Sequence, residues 1–278
     1  MSQRMLVVVS LLVPLSLSSF AQNKPVQASD PNIAEVIKRF AAAESENRLA
    51  RNNYTFTQDF EVQELGEANS VIGRFKRTSD IVFDDRSNRF EKITYFPSTT
   101  LPNLQISAED MQDLAGVQPF ALTTEDLPKY NVTYLSKEKI DEINAYVFDV
   151  KPKQFVKGDR YFQGRVWVDD QDLQIVKVAG QAVPEVGDQK FPHFESYREN
   201  IDGRYWFPTY VYADDVLNFK KAPPVHMKMI VKYSNYKRFG GRIRIGDEGE
   251  VAPDADSKSG DKSKPKPPAK PPVKPPQR

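Results

Sequence analysis

Hydrophobic and polar positions fall into two regimes along this chain, a short helical stretch and then a long run of period-two segments. Ile33, Val36, Ile37, Phe40 and Ala41 recur at the spacing of one helix face. Asp30-Pro31 ahead of them reads as an N-cap followed by a first-turn proline. Past Ala43 the pattern turns polar, with Glu44 four residues before Arg48 as a supporting pair and Asn52-Asn53 as a stop. Only the first half of this helix is therefore expected to dock.

Period two begins at Tyr54. Tyr54, Phe56, Phe60 and Val62 share one face, and Thr55, Thr57, Asp59 and Glu61 the other. Gly66 and Asn69 suit a turn, after which Val71–Phe83 resumes with Phe75, Ile81 and Phe83 in phase. Asp84-Asp85 and Ser87-Asn88 mark a reversal before a third strand at 90–96, so these three strands should form a meander. Seven more strands are expected at 130–135, 145–151, 162–168, 174–183, 191–201, 205–214 and 225–239, the last bulged or bent. Asp202-Gly203 is the strongest hairpin signal among their turns. About ten or eleven strands with so little helix predict a strongly curved antiparallel sheet or incomplete barrel, mainly β in class, wrapped over the N-terminal helix.

Segment 97–128 interrupts the rhythm. Ser107-Ala108-Glu109-Asp110 resembles a capping box, starting a short helix that runs through Leu114 and ends at Gly116, while Pro102, Pro119 and Pro128 keep the remainder irregular. An insertion of this length is a lid, a binding loop or a plug, or it covers one open end of the sheet.

The two ends differ from the body. Arg4, an apolar stretch from Leu6 to Leu17 and Ser19-Phe20-Ala21 form a signal-peptide pattern with cleavage after Ala21. No later segment approaches the roughly 20 apolar residues of a spanning helix, so a soluble periplasmic protein is expected. Cysteine is absent, so the chain is not itself a lipoprotein and its fold must rest on the core alone. The body, 22–245, holds 31 basic and 32 acidic residues and gives no electrostatic argument for nucleic acid. Beyond it, 246–278 is rich in Pro, Lys, Asp and Ser and is expected to be disordered, either as a solvated tether or as a contact for an anionic membrane, peptidoglycan or envelope protein.

Candidate chemistry is sparse. His193 and His226 fall in expected strands with no second ligand at metal spacing, and no phosphate loop, dinucleotide fingerprint or nucleophile elbow occurs. The pairs Asp84-Asp85, Asp169-Asp170 and Asp214-Asp215 sit at expected strand ends and read as turn residues. Neither an enzyme nor a cofactor is expected. The aromatic and methionine runs carry more: Tyr54, Phe56 and Phe60; Trp206, Tyr210 and Tyr212; Met227 and Met229. With Phe75 and the helix face Ile33, Val36, Ile37 and Phe40 they are the candidate lining of a cavity. One half-docked helix cannot cover ten strands, so part of that apolar face must meet a lid, a partner or a ligand.

The leading helix running into Tyr54-Thr-Phe-Thr-Gln-Asp-Phe60 resembles the opening of the LolA-like group. So do Phe162-Gln-Gly-Arg-Val-Trp-Val-Asp169 with Leu173-Gln-Ile-Val-Lys177, and Asp202-Gly-Arg-Tyr-Trp-Phe-Pro208. That group includes the outer-membrane lipoprotein carrier, mycobacterial lipid-handling lipoproteins and the stress sensor RseB. The resemblance implies a half-barrel of about eleven strands over helices, with an apolar cavity for acyl chains of a lipid or lipoprotein. The expected function is a non-catalytic periplasmic binding protein for an amphiphile. The alternative is an envelope interaction or sensor module with a filled cavity, which binds a partner protein or an anionic surface.

Overall fold

The computed structural model describes residues 31–239 except 85, 87, 109, 112–119 and 186. The expected leader and cleavage site, the N-cap Asp30, the helix stop at Gly116 and the terminal tail lie outside the described residues.

Helix α1, Pro31–Arg51, is followed by ten antiparallel strands. They are β1 Tyr54–Leu65, β2 Val71–Phe83, β3 Arg89–Tyr95, β4 Tyr130–Ile140, β5 Ile143–Pro152, β6 Tyr161–Asp169, β7 Ile175–Val183, β8 Phe194–Ile201, β9 Tyr205–Leu217 and β10 Val225–Arg238. They form one sheet in the order β3-β2-β1-β10-β9-β8-β7-β6-β5-β4. Every neighbour is a sequence neighbour except β1 with β10, which brings the chain's first and last strands together. The edges β3 and β4 do not pair, so the sheet is not closed and fits a curved half-barrel.

The period-two reading accounts for the core. Phe56, Phe60 and Val62 face inward beside Phe75, Val231, Met229 and Met227, and join the helix face Ile33, Val36, Ile37, Phe40 and Ala41 in one buried cluster. Leu104, Phe120 and Leu122 of the 97–128 segment complete that cluster, supplying cover the helix alone cannot. A bulge in β10 opposite Thr55–Thr57, where Asn235 takes φ 57, bends the first and last strands together. At the β8–β9 hairpin, Asp202 and Gly203 both take positive φ, 55 and 70, as a primed turn requires.

Three expectations need correction. The second half of α1 is docked rather than solvated: Glu44 is fully buried and Asn47 nearly so. Glu44 pairs with Arg198 instead of Arg48, and Arg48 reaches Glu125 and Asp126. Polar residues here form a buried hydrogen-bonded seam, which periodicity of apolar residues does not reveal. Asp214-Asp215 lies inside β9 rather than at a turn, each carboxylate engaged by a histidine. His193 in turn lies just before β8, outside the strand expected to contain it.

Candidate ligand-binding cleft

On the inner side, the described residues enclose a cleft of about 460 Å³ at the far end of β1 and β10. Its floor is Phe60 and Val62 with Met227 and Met229, all buried. Strand register makes that floor: Val62 stands opposite Met229, and Phe60 opposite Val231. Leu217, Phe191 and Phe219 extend the apolar wall, while Asn103, Gln105, Asp110, Asp188 and Lys190 give it a polar lip. An apolar floor with a few polar groups at the rim is the usual build of a small-molecule site.

Described residues of the 97–128 segment, from Thr100 to Asp110, are held over this end by specific contacts. A Cβ on Gly73 would come within 2.5 Å of the Thr100 carbonyl oxygen and 2.8 Å of the Leu101 Cα, so only glycine lets the segment press on β2. Glu64, 1% exposed, accepts hydrogen bonds from the Asn103 backbone N–H at 3.1 Å and from its side-chain amide. The capping box is present: the Ser107 hydroxyl accepts from the Asp110 N–H at 3.1 Å, and Asp110 accepts from the Ser107 N–H at 2.8 Å. Deeper in, Arg198 donates to both Glu44 oxygens and to the Phe120 carbonyl, and Phe120 stacks on Phe162 with centroids 4.3 Å apart.

The sequence-derived lining residues are distributed as follows. Phe60, Met227 and Met229 meet in the cleft. Ile33, Val36, Ile37, Phe40, Phe56 and Phe75 are packed within the main core, with Phe40 against Phe148 at 5.3 Å. The Tyr54 hydroxyl donates to Asp202 at 2.8 Å, and burial together with that bond pushes it up to about 12. Trp206 and Tyr210 belong to a second cluster with Trp167, Val147 and Tyr197. Trp167 and Val147 alternate along their strands with residues of the main core, which puts this cluster on the opposite face of the sheet. Tyr212 lines a polar depression of about 540 Å³ with Asp149, Arg165, Gln181, Glu195 and Asp214.

Two histidine–aspartate pairs escaped sequence reasoning. His226 Nε2 lies 2.6 Å from Asp214, which also accepts from the Tyr212 hydroxyl at 3.0 Å. His193 Nδ1 lies 3.1 Å from Asp215. Burial pushes both carboxyls upward, but the histidine hydrogen bonds and, at Asp214, those of Tyr212 and the Lys228 charge outweigh it and hold them below the ordinary range. The pairs join residues far apart in sequence, and only strand register could have found them. Among the described residues no group of three or more His, Asp or Glu is placed to hold a metal.

No family model matches the chain, and no curated protein matches it. Among solved structures it is similar to a LolA superfamily protein from Nitrosomonas europaea, at 16% identity over 71% of this chain and 93% of that one, TM-score 0.33. It is similar to a DUF1329 family protein from Desulfovibrio piger, at 16% identity over 77% and 95% of the two chains, TM-score 0.37. A putative outer membrane lipoprotein-sorting protein domain from Vibrio parahaemolyticus matches at 16% identity over 72% and 93%, TM-score 0.34. The first of these structures belongs by its description to the LolA superfamily, the group that the strand and turn pattern resembles.

Proposed function

We propose that this protein is a non-catalytic binding protein for an amphiphile, holding its apolar part in the cleft between Phe60, Val62, Met227, Met229 and the 97–128 segment. The single observation that carries the reading is that cleft: about 460 Å³ over a buried apolar floor, roofed by a segment fixed through Glu64 and Gly73. The two methionines add an adaptable, polarizable surface that accepts chains of differing shape.

Magnitudes limit the ligand. Each buried methylene contributes about 0.8 kcal/mol, so six in the cleft would contribute on the order of 5 kcal/mol. Phe40, Phe56 and Phe148 are buried on the inner face nearer α1 and take up part of it. The volume therefore supports one chain of a monomeric amphiphile, such as a fatty acid or lysolipid, rather than a multi-chain anchor. The signal-peptide pattern of residues 1–21 supports placement in the periplasm. The test is native mass spectrometry of protein purified from a periplasmic fraction, alongside uptake of a fluorescent fatty acid. Bound acyl species and saturable uptake are expected; neither appearing would overturn the reading.

A further inference from the structure

At the other end of β1 three arginines gather, and among the described residues only Arg77 has a carboxylate in ion-pair contact. Arg51, at the end of α1, keeps a buried Nε with no hydrogen-bond partner, and among the described residues no carboxylate is in salt-bridge contact with it. Arg89 places its guanidinium 5.3 Å from the centre of the Phe56 ring and is exposed to solvent, with only a long contact to Asn52 at 3.4 Å. Arg77 is paired with Glu91 at 2.7 Å, yet its Nε is also buried and unpartnered. The Tyr233 hydroxyl, on a residue 6% exposed, has no aligned partner either, although Gln58 is close enough to be felt.

Arg51, Arg89 and Tyr233 share one corner, and the Arg77 guanidinium reaches toward it through Glu91, two residues from Arg89 on β3. The Phe56 ring sits between Tyr233 at 6.0 Å and Tyr236 at 5.1 Å, and Phe83 stacks on Phe239 at 4.4 Å beside it. Burial disfavours the Arg51 charge and the nearby Arg198 adds to that, against smaller support from Tyr236, Tyr233 and Glu44, the last already bonded to Arg198; Arg89, itself disfavoured first by burial, feels Arg51 as a like charge. Two neighbouring guanidiniums facing neutral tyrosines, with Glu91 already used by Arg77, form an incomplete electrostatic set. An anion would complete it. Register then links the corner to the cleft: Arg77 stands directly opposite Phe60, the cleft's floor residue. Phe56 lies four residues from Phe60 along β1, about 13 Å at strand rise.

We propose that the Arg51–Arg77–Arg89 corner binds an oxyanion, the phosphate or carboxylate head of an amphiphile whose chain lies along the concave face toward the cleft. The identity of the ligand as an amphiphile rests on the reading above; the anion site itself does not. Guanidiniums suit this role because their fixed forks donate two bonds to one phosphate or carboxylate.

The experiment compares dodecyl phosphate, dodecyl maltoside and inorganic phosphate on the full chain, by titration calorimetry and thermal shift. Dodecyl phosphate is expected to bind about tenfold tighter than dodecyl maltoside, the scale of charge-assisted hydrogen bonds. In Arg89→Gln and Arg51→Gln that ratio falls toward one, while Lys139→Gln, at the opposite edge of the sheet, keeps it. Arg89 is exposed, so its variant tests the idea even if the Arg51 variant fails to fold. Inorganic phosphate matching dodecyl phosphate, and lost in Arg89→Gln, supports the anion site with free phosphate as its source. Binding of both detergents with equal affinity overturns the corner and leaves the cleft reading standing. If neither detergent binds, the cleft reading fails, and phosphate decides the corner: a stabilisation absent from Arg89→Gln supports it, and none at all overturns it.

Discussion

The Arg198 guanidinium donates through Nη1 to both carboxylate oxygens of Glu44, at 2.7 and 2.8 Å, with both side chains buried. Its Nη2 donates to the Phe120 carbonyl, so one ion pair fastens α1, β8 and the covering segment. Removing one partner leaves the other charge buried and uncompensated. Arg198→Ala or Glu44→Ala is expected to cost about 3–5 kcal/mol in urea unfolding, whereas Arg198→Met with Glu44→Leu returns much of that loss. A cost no larger than that of breaking the exposed Lys137–Asp170 pair would remove the fastening role.

Alternation was enough to read the strands, because each inward position pays off by burial. β2 runs over the expected Val71–Phe83, and the helix face Ile33, Val36, Ile37, Phe40 and Ala41 is buried as a unit. The polar seam was illegible for the opposite reason: Glu44, Asn47 and Arg198 are buried only because they find one another or Gln174 and Phe120 across the fold. Periodicity also does not say which face is inside. β6 carries Val166, Trp167 and Val168 all buried, and Trp206 and Tyr210 join Trp167 on the far face instead of the concave one. The cleft depends on where 97–128 crosses, and that is set by Gly73 and Glu64, single residues with no pattern around them.

Glycine at 164 makes a distinct prediction. Gly164 and Gly180 stand opposite each other, and a Cβ on Gly164 would meet the Ala179 carbonyl oxygen at 2.2 Å and the Phe162 ring at 2.8 Å. Phe162 lies over this two-glycine window, with Phe120 stacked on it at 4.3 Å. Gly164→Ala is therefore expected to destabilise by about 1–3 kcal/mol through forced displacement of backbone and ring. Hydrogen exchange at 120–124 should quicken in the same variant. Unchanged exchange there would show that the stack does not hold the covering segment.

Acid should remove stabilisation from the β9–β10 region. Asp214 lies below its ordinary range because, against burial, the hydrogen bonds from His226 and Tyr212 and the Lys228 charge favour its ionised form. A carboxyl depressed in the folded state stabilises at pH above its unfolded value, about 4, and loses that contribution as pH falls through the folded value. Asp126, held down against burial by Lys129, Thr123 and Arg48, acts in the same direction. Thermal unfolding should thus show little dependence on these groups between pH 7 and pH 5 and a fall below about pH 4. Asp214→Asn should reduce the steepness of that fall; an identical slope in the variant would exclude Asp214 as a contributor.

Filling the cleft should separate binding from stability. Met229 is 4% exposed on the floor, opposite Val62, and an indole in its place has the neighbouring hollow to occupy. Met229→Trp is expected to cost no more than about 1–3 kcal/mol, the range for overpacking, because part of the added volume enters the cleft. Uptake of a fluorescent fatty acid should drop at least tenfold, since each methylene excluded from the cleft forfeits about 0.8 kcal/mol. Met229→Leu, close in volume and still apolar, should keep uptake near that of the parent. If the tryptophan variant folds and takes up ligand as well as the parent does, the acyl chain lies elsewhere, and the floor of Phe60, Val62, Met227 and Met229 is core alone.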